Sequence, residues 1–239
     1  KKQQDKLLVT ERYEAWETVA RKLAHEIKNP LTPIQLSIDR LREKYSSEIK
    51  NNGEDFNRYL ETINRQIKDI ENLVNEFSNF ARMPRPIFKK VNIIDIIKRS
   101  VDFVKMSSKN QIKIIKKNND LLINADAEQL NRVFINLIKN SEEAFLEIYE
   151  KNPNFKGKID IEIIGNKDYI VVKLTDNGTG ISNTKKVMTP YYTTKINGSG
   201  LGLPIVSKII NEHAGDFSIK NKKESKGTVI EITLPNINA

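Results

Sequence analysis

From Trp16 to Tyr45 the apolar residues fall at Trp16, Val19, Leu23, Ile27, Leu31, Ile34, Ile38, Leu41 and Tyr45, in steps of three and four. That spacing places them all along one side of an α-helix. A second stripe runs through Phe56, Leu60, Ile63, Ile67, Ile70, Val74, Phe77 and Phe80, with a mean step close to the ~3.5 residues of helices packed along their length. Asn51, Asn52 and Gly53 supply the turn between them. Two helices with one stripe each cannot enclose a core. The segment is therefore expected to pair with a second copy as a four-helix bundle, the alternative being that it docks on the rest of its own chain.

The remaining chain, of 239 residues in all and 38% hydrophobic, is long enough for a real core. No run of ~18 apolar residues occurs, so no membrane-spanning segment and no membrane contact are expected in this piece. With no cysteine and two histidines, disulfides, thiol chemistry and a Cys- or His-rich metal centre are excluded, and a metal would need oxygen ligands. The net charge of +9 raises the question of nucleic acid. Its lysines are scattered (Lys89 and Lys90, Lys116 and Lys117, Lys185 and Lys186, Lys222 and Lys223) and lack interleaved aromatics. A solvated basic surface with no nucleic-acid partner is the expectation. The chain starts at Lys1 without a methionine, as a piece of a longer protein would.

Met83-Pro84-Arg85-Pro86 stops the second helix, because proline lacks the donor N–H and disfavours helix at the residue before it. The expected organisation is an upstream helix or linker over 1–14, a helical-hairpin domain over 15–82, a linker over 83–87 and a second domain over 88–239. In that domain the patterns read as a helix near Ile93–Lys105, strands near Ile112–Lys116 and Leu121–Ile123, and a helix from Ala127 to Tyr149. Strands at Lys158–Gly165 and Tyr169–Thr175, a Gly-rich loop, a helix over Leu201–Glu212 and strands at Asp216–Lys220 and Thr228–Leu234 complete it. The fold class is α+β, with helices on one face of a mixed sheet.

Chemistry-bearing residues recur within these elements. His25 sits two residues from both Leu23 and Ile27, about 200° round the helix from each, which directs it away from the stripe. Neutral imidazole is a nucleophile when one nitrogen holds the proton and the other presents its lone pair, and the neighbouring Glu26 is the carboxylate that can fix that tautomer. Pro30 and Pro33 withhold helical donors from the Glu26 and Asn29 carbonyls. The apolar phase nevertheless runs on from Leu23 to Ile38, which favours one kinked helix over a new helix starting at Pro30. Asn136 and Asn140 share a helical face and can turn two amide oxygens toward a hard cation. Asp176-Asn177-Gly178-Thr179-Gly180 follows a strand, and its carboxylate can accept from an adenine amino group. Gly198-Ser199-Gly200-Leu201-Gly202-Leu203 leads into a helix, turning backbone N–H groups and the helix dipole toward phosphate. Gly227-Thr228 opens the last strand and can complete the pocket.

The segment Ala24-His25-Glu26-Ile27-Lys28-Asn29-Pro30-Leu31 closely resembles the H-box of bacterial sensor histidine kinases. The four elements above resemble, in order, the N, G1, G2 and G3 boxes of the Bergerat-type ATP-binding fold. Together these cover the chain from Ala15 onward. The resemblance implies a dimerisation domain forming a four-helix bundle in the homodimer, followed by an ATP-binding α/β sandwich. It implies phosphorylation of His25 by ATP with Glu26 as base, transfer to an aspartate of a response regulator, and a role for Asn29 in positioning water when the regulator is dephosphorylated. It also implies Mg2+ on Asn140, and nucleotide contacts from Asn136, Lys139, Asn140, Asp176, Gly178, Gly180, Ile181, Thr194, Lys195, Gly198, Ser199, Gly200, Leu201, Gly202, Leu203 and Thr228.

One departure from the pattern matters. Between the second and third boxes Pro190-Tyr191-Tyr192-Thr193-Thr194-Lys195 replaces the F-box, with Met188 nearest to the usual phenylalanine, and the stretch from Ile181 to Thr189 makes a short lid. Asn136 bears on the reaction. ATP-hydrolysing relatives carry a glutamate four residues before the magnesium asparagine, where this chain has Asn136, and an amide cannot deprotonate water. The kinase reading is preferred on that residue and the H-box, over both a hydrolysing ATPase and a dimeric scaffold without catalysis. Lys28-Asn29-Pro30-Leu31-Thr32-Pro33-Ile34 and the Pro190–Lys195 run look most like nitrogen-regulation sensors of the NtrY-like type. That likeness implies upstream sensory and membrane segments anchoring a cytoplasmic core to the bacterial inner membrane.

Overall fold

The structure is a computed structural model that describes all residues except 1, 47, 50, 51, 82, 83, 118–120, 185, 190, 191, 194–199, 224, 238 and 239, and describes backbone only at 2–22, 25, 76, 77 and 79–81. It divides into two units, one helical and ending at Pro84, the other beginning at Arg85.

In the helical unit, α1 (Lys2–Tyr45) is continuous through Pro30 and Pro33 and extends well upstream of the apolar stripe. Helix α2 (Gly53–Ala81) returns antiparallel to it. Gly53 is the first residue of that helix and not part of the turn, which instead uses Asn52 in the left-handed region at φ 69°. Asn tolerates that conformation through its short polar side chain. Between the helices Gln35 Nε2 donates to Asn64 Oδ1 at 3.0 Å and Ser46 Oγ to Asn57 Oδ1 at 3.1 Å.

The predicted single stripe divides into two along each helix. Ala24, Leu31 and Ile38 of α1 and Leu60, Ile67 and Val74 of α2 are buried, with Leu31, Ile38, Leu60 and Ile67 packed as one cluster against Phe56. Ile27, Ile34 and Leu41, and Ile63 and Ile70, keep the same seven-residue spacing yet stay exposed, from 39% for Ile27 to 45% for Ile34. One seam closes the hairpin; the other is open.

The second unit is a five-stranded sheet in the order β2-β4-β5-β7-β6, with β2 (Gln111–Lys116) parallel to β4 (Lys158–Gly165) and the other pairs antiparallel. β5 (Tyr169–Asp176) and β7 (Thr228–Pro235) are central, and β6 (Asp216–Asn221) is an edge. Alternate residues Ile170, Val172 and Leu174 of β5, and Ile230, Ile232 and Leu234 of β7, are buried, the period-two signature of a sheet with one covered face. Helices α3 (Ile93–Lys105), α4 (Ala127–Lys151) and α5 (Gly202–Glu212) bury matching stripes, in α4 Leu130, Val133, Phe134, Leu137, Ile138 and Phe145. This is the mixed sheet with helices expected from the pattern.

A second, two-stranded sheet is not announced by the pattern. β1 (Lys89–Asn92) pairs antiparallel with β3 (Leu122–Ala125), which therefore stands apart from the main sheet. Lys89-Lys90-Val91-Asn92 lacks alternation, so its strand character comes from a partner distant in sequence, in register from Lys89 with Ala125 to Asn92 with Leu122, rather than from local pattern. Asn92 then caps α3, its Oδ1 accepting from Ile94 N at 3.0 Å.

Candidate functional site

The second unit gathers its polar residues around one buried carboxylate. Asp176 ends β5 and is 3% exposed. Its Oδ1 accepts from Gly178 N at 2.9 Å, which folds the following loop back over the strand end, and from Thr228 N at 3.0 Å, the first residue of β7. Its Oδ2 accepts from the Ser141 hydroxyl at 3.2 Å. A carboxylate offers about four lone-pair sites, so three protein donors fix its rotamer and leave acceptor capacity on Oδ2.

Ser141 lies in the buried phase of α4 directly after Asn140, and the sequence motifs do not include it. A polar residue in an otherwise apolar helical stripe was the signal available. Asn136 and Asn140 are half-buried one turn apart, and α5 begins beside Asn140: a Cβ built on Gly202 would lie 3.9 Å from Asn140 Nδ2. Lys139 is exposed, its ammonium 5.9 Å from the Phe103 ring of α3.

The loop glycines are required by space and conformation. Gly178 is buried, and a Cβ there would stand 2.9 Å from the Ala144 Cβ. Gly180 and Gly200 adopt positive φ, 81° and 69°. The α5 N-cap, Leu201, is buried and makes no side-chain capping bond. The first ladder bond runs from Ile205 N to the Leu201 carbonyl, so the N–H groups of Gly202 and Leu203 stand outside the helical ladder at the positive end of the dipole. The structure thus brings together Asn140, Asp176, Gly178, Gly202 and Thr228. Thr194, Lys195, Gly198 and Ser199 lie outside the described residues. On α1, Glu26 and Asn29 are exposed, and His25 is helical in backbone with its side chain outside the description.

A second hub holds the base of α4. Its N-cap, Asp126, accepts through Oδ1 from Glu128 N at 3.0 Å and Gln129 N at 3.1 Å, and through Oδ2 from Ile87 N at 2.9 Å. Its own N–H donates to His213 Nε2 at 2.9 Å, and His213 Nδ1 lies 2.8 Å from the Ile209 carbonyl. That pattern assigns the proton to Nδ1 of a neutral ring. Phe88 meets the ring edge-on at 5.1 Å between centroids.

Burial pushes the His213 pKa below 6.5, against the Ile209 carbonyl and Asp126, which work the other way. For Asp126 burial acts upward, but the N–H groups of Ile87, Gln129 and Glu128, with His213, hold it below 3.8. A histidine with a depressed folded-state pKa takes up its proton more readily when unfolded. Its contribution is full above the unfolded value and is lost as pH falls through ~6.5 toward the folded value. Thermal melts from about pH 7.5 to about pH 5.5 are therefore expected to show a falling midpoint, with a shallower slope in His213→Gln. Equal slopes would remove His213 as the cause.

A family model described as His Kinase A (phospho-acceptor) domain matches residues 15–86, and one described as Histidine kinase-, DNA gyrase B-, and HSP90-like ATPase matches residues 125–238. The NtrY-like sensor histidine kinase of Rickettsia felis is 42% identical over 234 residues, covering 97% of this chain and 38% of that protein. Nitrogen regulation protein NtrY of Azorhizobium caulinodans is 35% identical over 232 residues, 95% of this chain and 30% of its own. The chain thus spans less than two fifths of the length of these curated relatives. Among solved structures, the catalytic domain of histidine kinase ThkA is 28% identical with a TM-score of 0.54, covering 62% of this chain and 95% of that one. ThkA in complex with response regulator protein TrrA has a TM-score of 0.65 at 23% identity, covering 99% of this chain and 66% of that one, a likeness of fold. With a phospho-acceptor domain followed by a histidine-kinase-type ATPase domain, and NtrY-like kinases aligned along nearly all of it, this chain belongs to the sensor histidine kinases.

Proposed function

We propose that this chain is the catalytic core of a sensor histidine kinase: it binds ATP with Mg2+, phosphorylates His25 and passes the phosphoryl group to an aspartate of a response regulator. The supporting observation is the convergence of a rigidly held, acceptor-only Asp176 with Asn140 and the start of α5. Asp176 is assigned the adenine amino group, from which it accepts a hydrogen bond, whereas a 6-oxo purine presents an acceptor at that position. The Gly202 and Leu203 N–H groups, with Thr194, Lys195, Gly198 and Ser199, are assigned the phosphates. Lys139, Gly180, Ile181, Gly200 and Leu201 are assigned flanking contacts to the nucleotide.

The donor set on α4 fits a hard cation, since Asn140 and Asn136 offer neutral amide oxygens on one helical face. Asn140 would hold magnesium, which offsets phosphate charge. A ring nitrogen of His25 attacks the γ-phosphorus, an N–P bond forms, the bond to the bridging oxygen breaks, ADP leaves, and Glu26 takes the ring proton. Asn136 occupies the place where a carboxylate base would activate water, favouring transfer to histidine over hydrolysis. Asn29 is assigned to water positioning when the regulator is dephosphorylated. The domain assignment is a helical phosphotransfer domain over 15–82, a linker over 83–87 and the ATP-binding domain from 88.

Incubation with γ-labelled ATP and Mg2+ is the direct test. Acid-labile, alkali-stable label on wild type, absent from His25→Ala, is expected; wild type that binds ATP and takes up no label would overturn the assignment.

The open seam supports a homodimer. Ile27, Ile34, Leu41, Ile63 and Ile70 form a five-residue apolar strip that a second copy would cover, completing four helices. In sedimentation at micromolar concentration, Ile34→Asp combined with Ile70→Asp is expected to give a monomer of unchanged helicity, each buried charge costing at least ~2 kcal/mol. A dimer that survives both substitutions would place the interface elsewhere.

A further inference from the structure

The loop from Asp176 to Ile181 is held at both ends, and its far end is held by a residue outside every motif. Asn221, the last residue of β6, accepts through Oδ1 from Ile181 N at 2.7 Å and donates through Nδ2 to the Ile181 carbonyl at 2.8 Å. One side-chain amide thereby satisfies both backbone groups of Ile181, as a paired strand residue would. The contact depends on the turn at Gly180, whose φ is 81° and where a Cβ would lie 3.1 Å from Asn221 Oδ1. Across the ladder Asn221 is in register with Thr228, the residue whose N–H binds Asp176 Oδ1. One end of the β6–β7 hairpin therefore grips the start of the loop through Thr228 and its exit through Asn221. Asn177 braces the loop on its other flank, accepting from Lys158 N at 2.7 Å and donating to the Lys156 carbonyl at 3.0 Å.

We infer that Asn221 is a positioning residue for the adenine-binding loop, acting through Ile181 and Gly180 to hold the glycine turn at the distance from Asp176 that a purine ring needs. The inference rests on the assignment of Asp176–Gly180 to adenine. Asn221 touches no reacting atom, so it sets nucleotide affinity and leaves the chemical step alone. The amide is specifically required. The near-isosteric substitution Asn221→Asp keeps an acceptor for Ile181 N but turns a second, charged acceptor on the Ile181 carbonyl, where a donor now stands.

The experiment measures the Kd of an ATP analogue, the KM for ATP and the kcat of autophosphorylation for wild type, Asn221→Ala and Asn221→Asp in the full chain. Both variants are expected to weaken binding and raise KM about tenfold, Asn221→Asp at least as much as Asn221→Ala, with kcat at saturating ATP within about twofold. Because the side chain is exposed, melting points should stay close to wild type. Wild-type affinity in Asn221→Asp, or a loss confined to kcat, would overturn the inference. Failure of wild type itself to bind the analogue would instead overturn the adenine assignment.

Discussion

Gly227→Ala is expected to destabilise the ATP-binding unit by about 2–6 kcal/mol. Gly227 sits at φ 128°, and an added Cβ would stand 2.2 Å from the Asp176 carbonyl oxygen and 3.1 Å from its carbon. Two costs combine. The conformation is one that only glycine adopts readily, worth roughly 1–3 kcal/mol, and the neighbour is central-strand backbone that cannot swing aside, adding roughly 1–3 kcal/mol of overpacking. For a unit of this size such a loss corresponds to a drop in melting temperature on the order of 10 °C. The strand end it displaces carries Asp176, so nucleotide affinity should fall in the same variant. Calorimetry with and without an ATP analogue checks both, and a melting point within about 2 °C of wild type would mean that the close approach is relieved at little cost.

Asp176→Asn separates binding from folding. The substituted amide keeps one oxygen, which can go on accepting from Gly178 N and Thr228 N, while its NH2 group takes the place of Oδ2. Ser141, now donating to Oδ2 at 3.2 Å, can rotate to accept and donate to the Leu137 carbonyl at 3.3 Å instead. The fold is therefore expected to survive with a loss of about 1 kcal/mol. The ligand, however, meets a donor where it needs an acceptor. A buried donor facing the adenine amino group leaves both unsatisfied, and affinity for an ATP analogue should fall by at least about a hundredfold, equivalent to ~2.7 kcal/mol. Titration calorimetry reads this directly. Unchanged affinity would remove Asp176 from the adenine contact, and a collapse of the melting point would show that it serves the fold alone.

Gly227 and Asp176 are visible as motif residues in the chain, but their dependence on each other is not: Gly227 must be bare because β5 and β7 pair so that Thr228 reaches Asp176. Ser141 and Asn221 are ordinary polar residues in sequence, and they acquire their places only when α4 packs on β5 and the β6–β7 hairpin closes over the loop. β1 escapes local pattern for the same reason, since its pairing with β3 is a non-local choice that two adjacent lysines do nothing to signal.

By itself the sequence determined the secondary elements that carry strong periodicity, such as α3 over Ile93–Lys105 and β4 over Lys158–Gly165, because a side chain's face follows from backbone geometry alone. It also determined the residue types and order of the candidate site, since phosphate, cation and adenine each demand particular donors and acceptors. Only the tertiary structure decided which half of each helical stripe closes the hairpin and which half is left open, because equal hydrophobicity at positions three and four apart does not say where the partner helix lies. Likewise only packing decided what holds Asp176 and Ile181 in place, since hydrogen bonds between residues 35 and 40 positions apart exist only once the chain has folded.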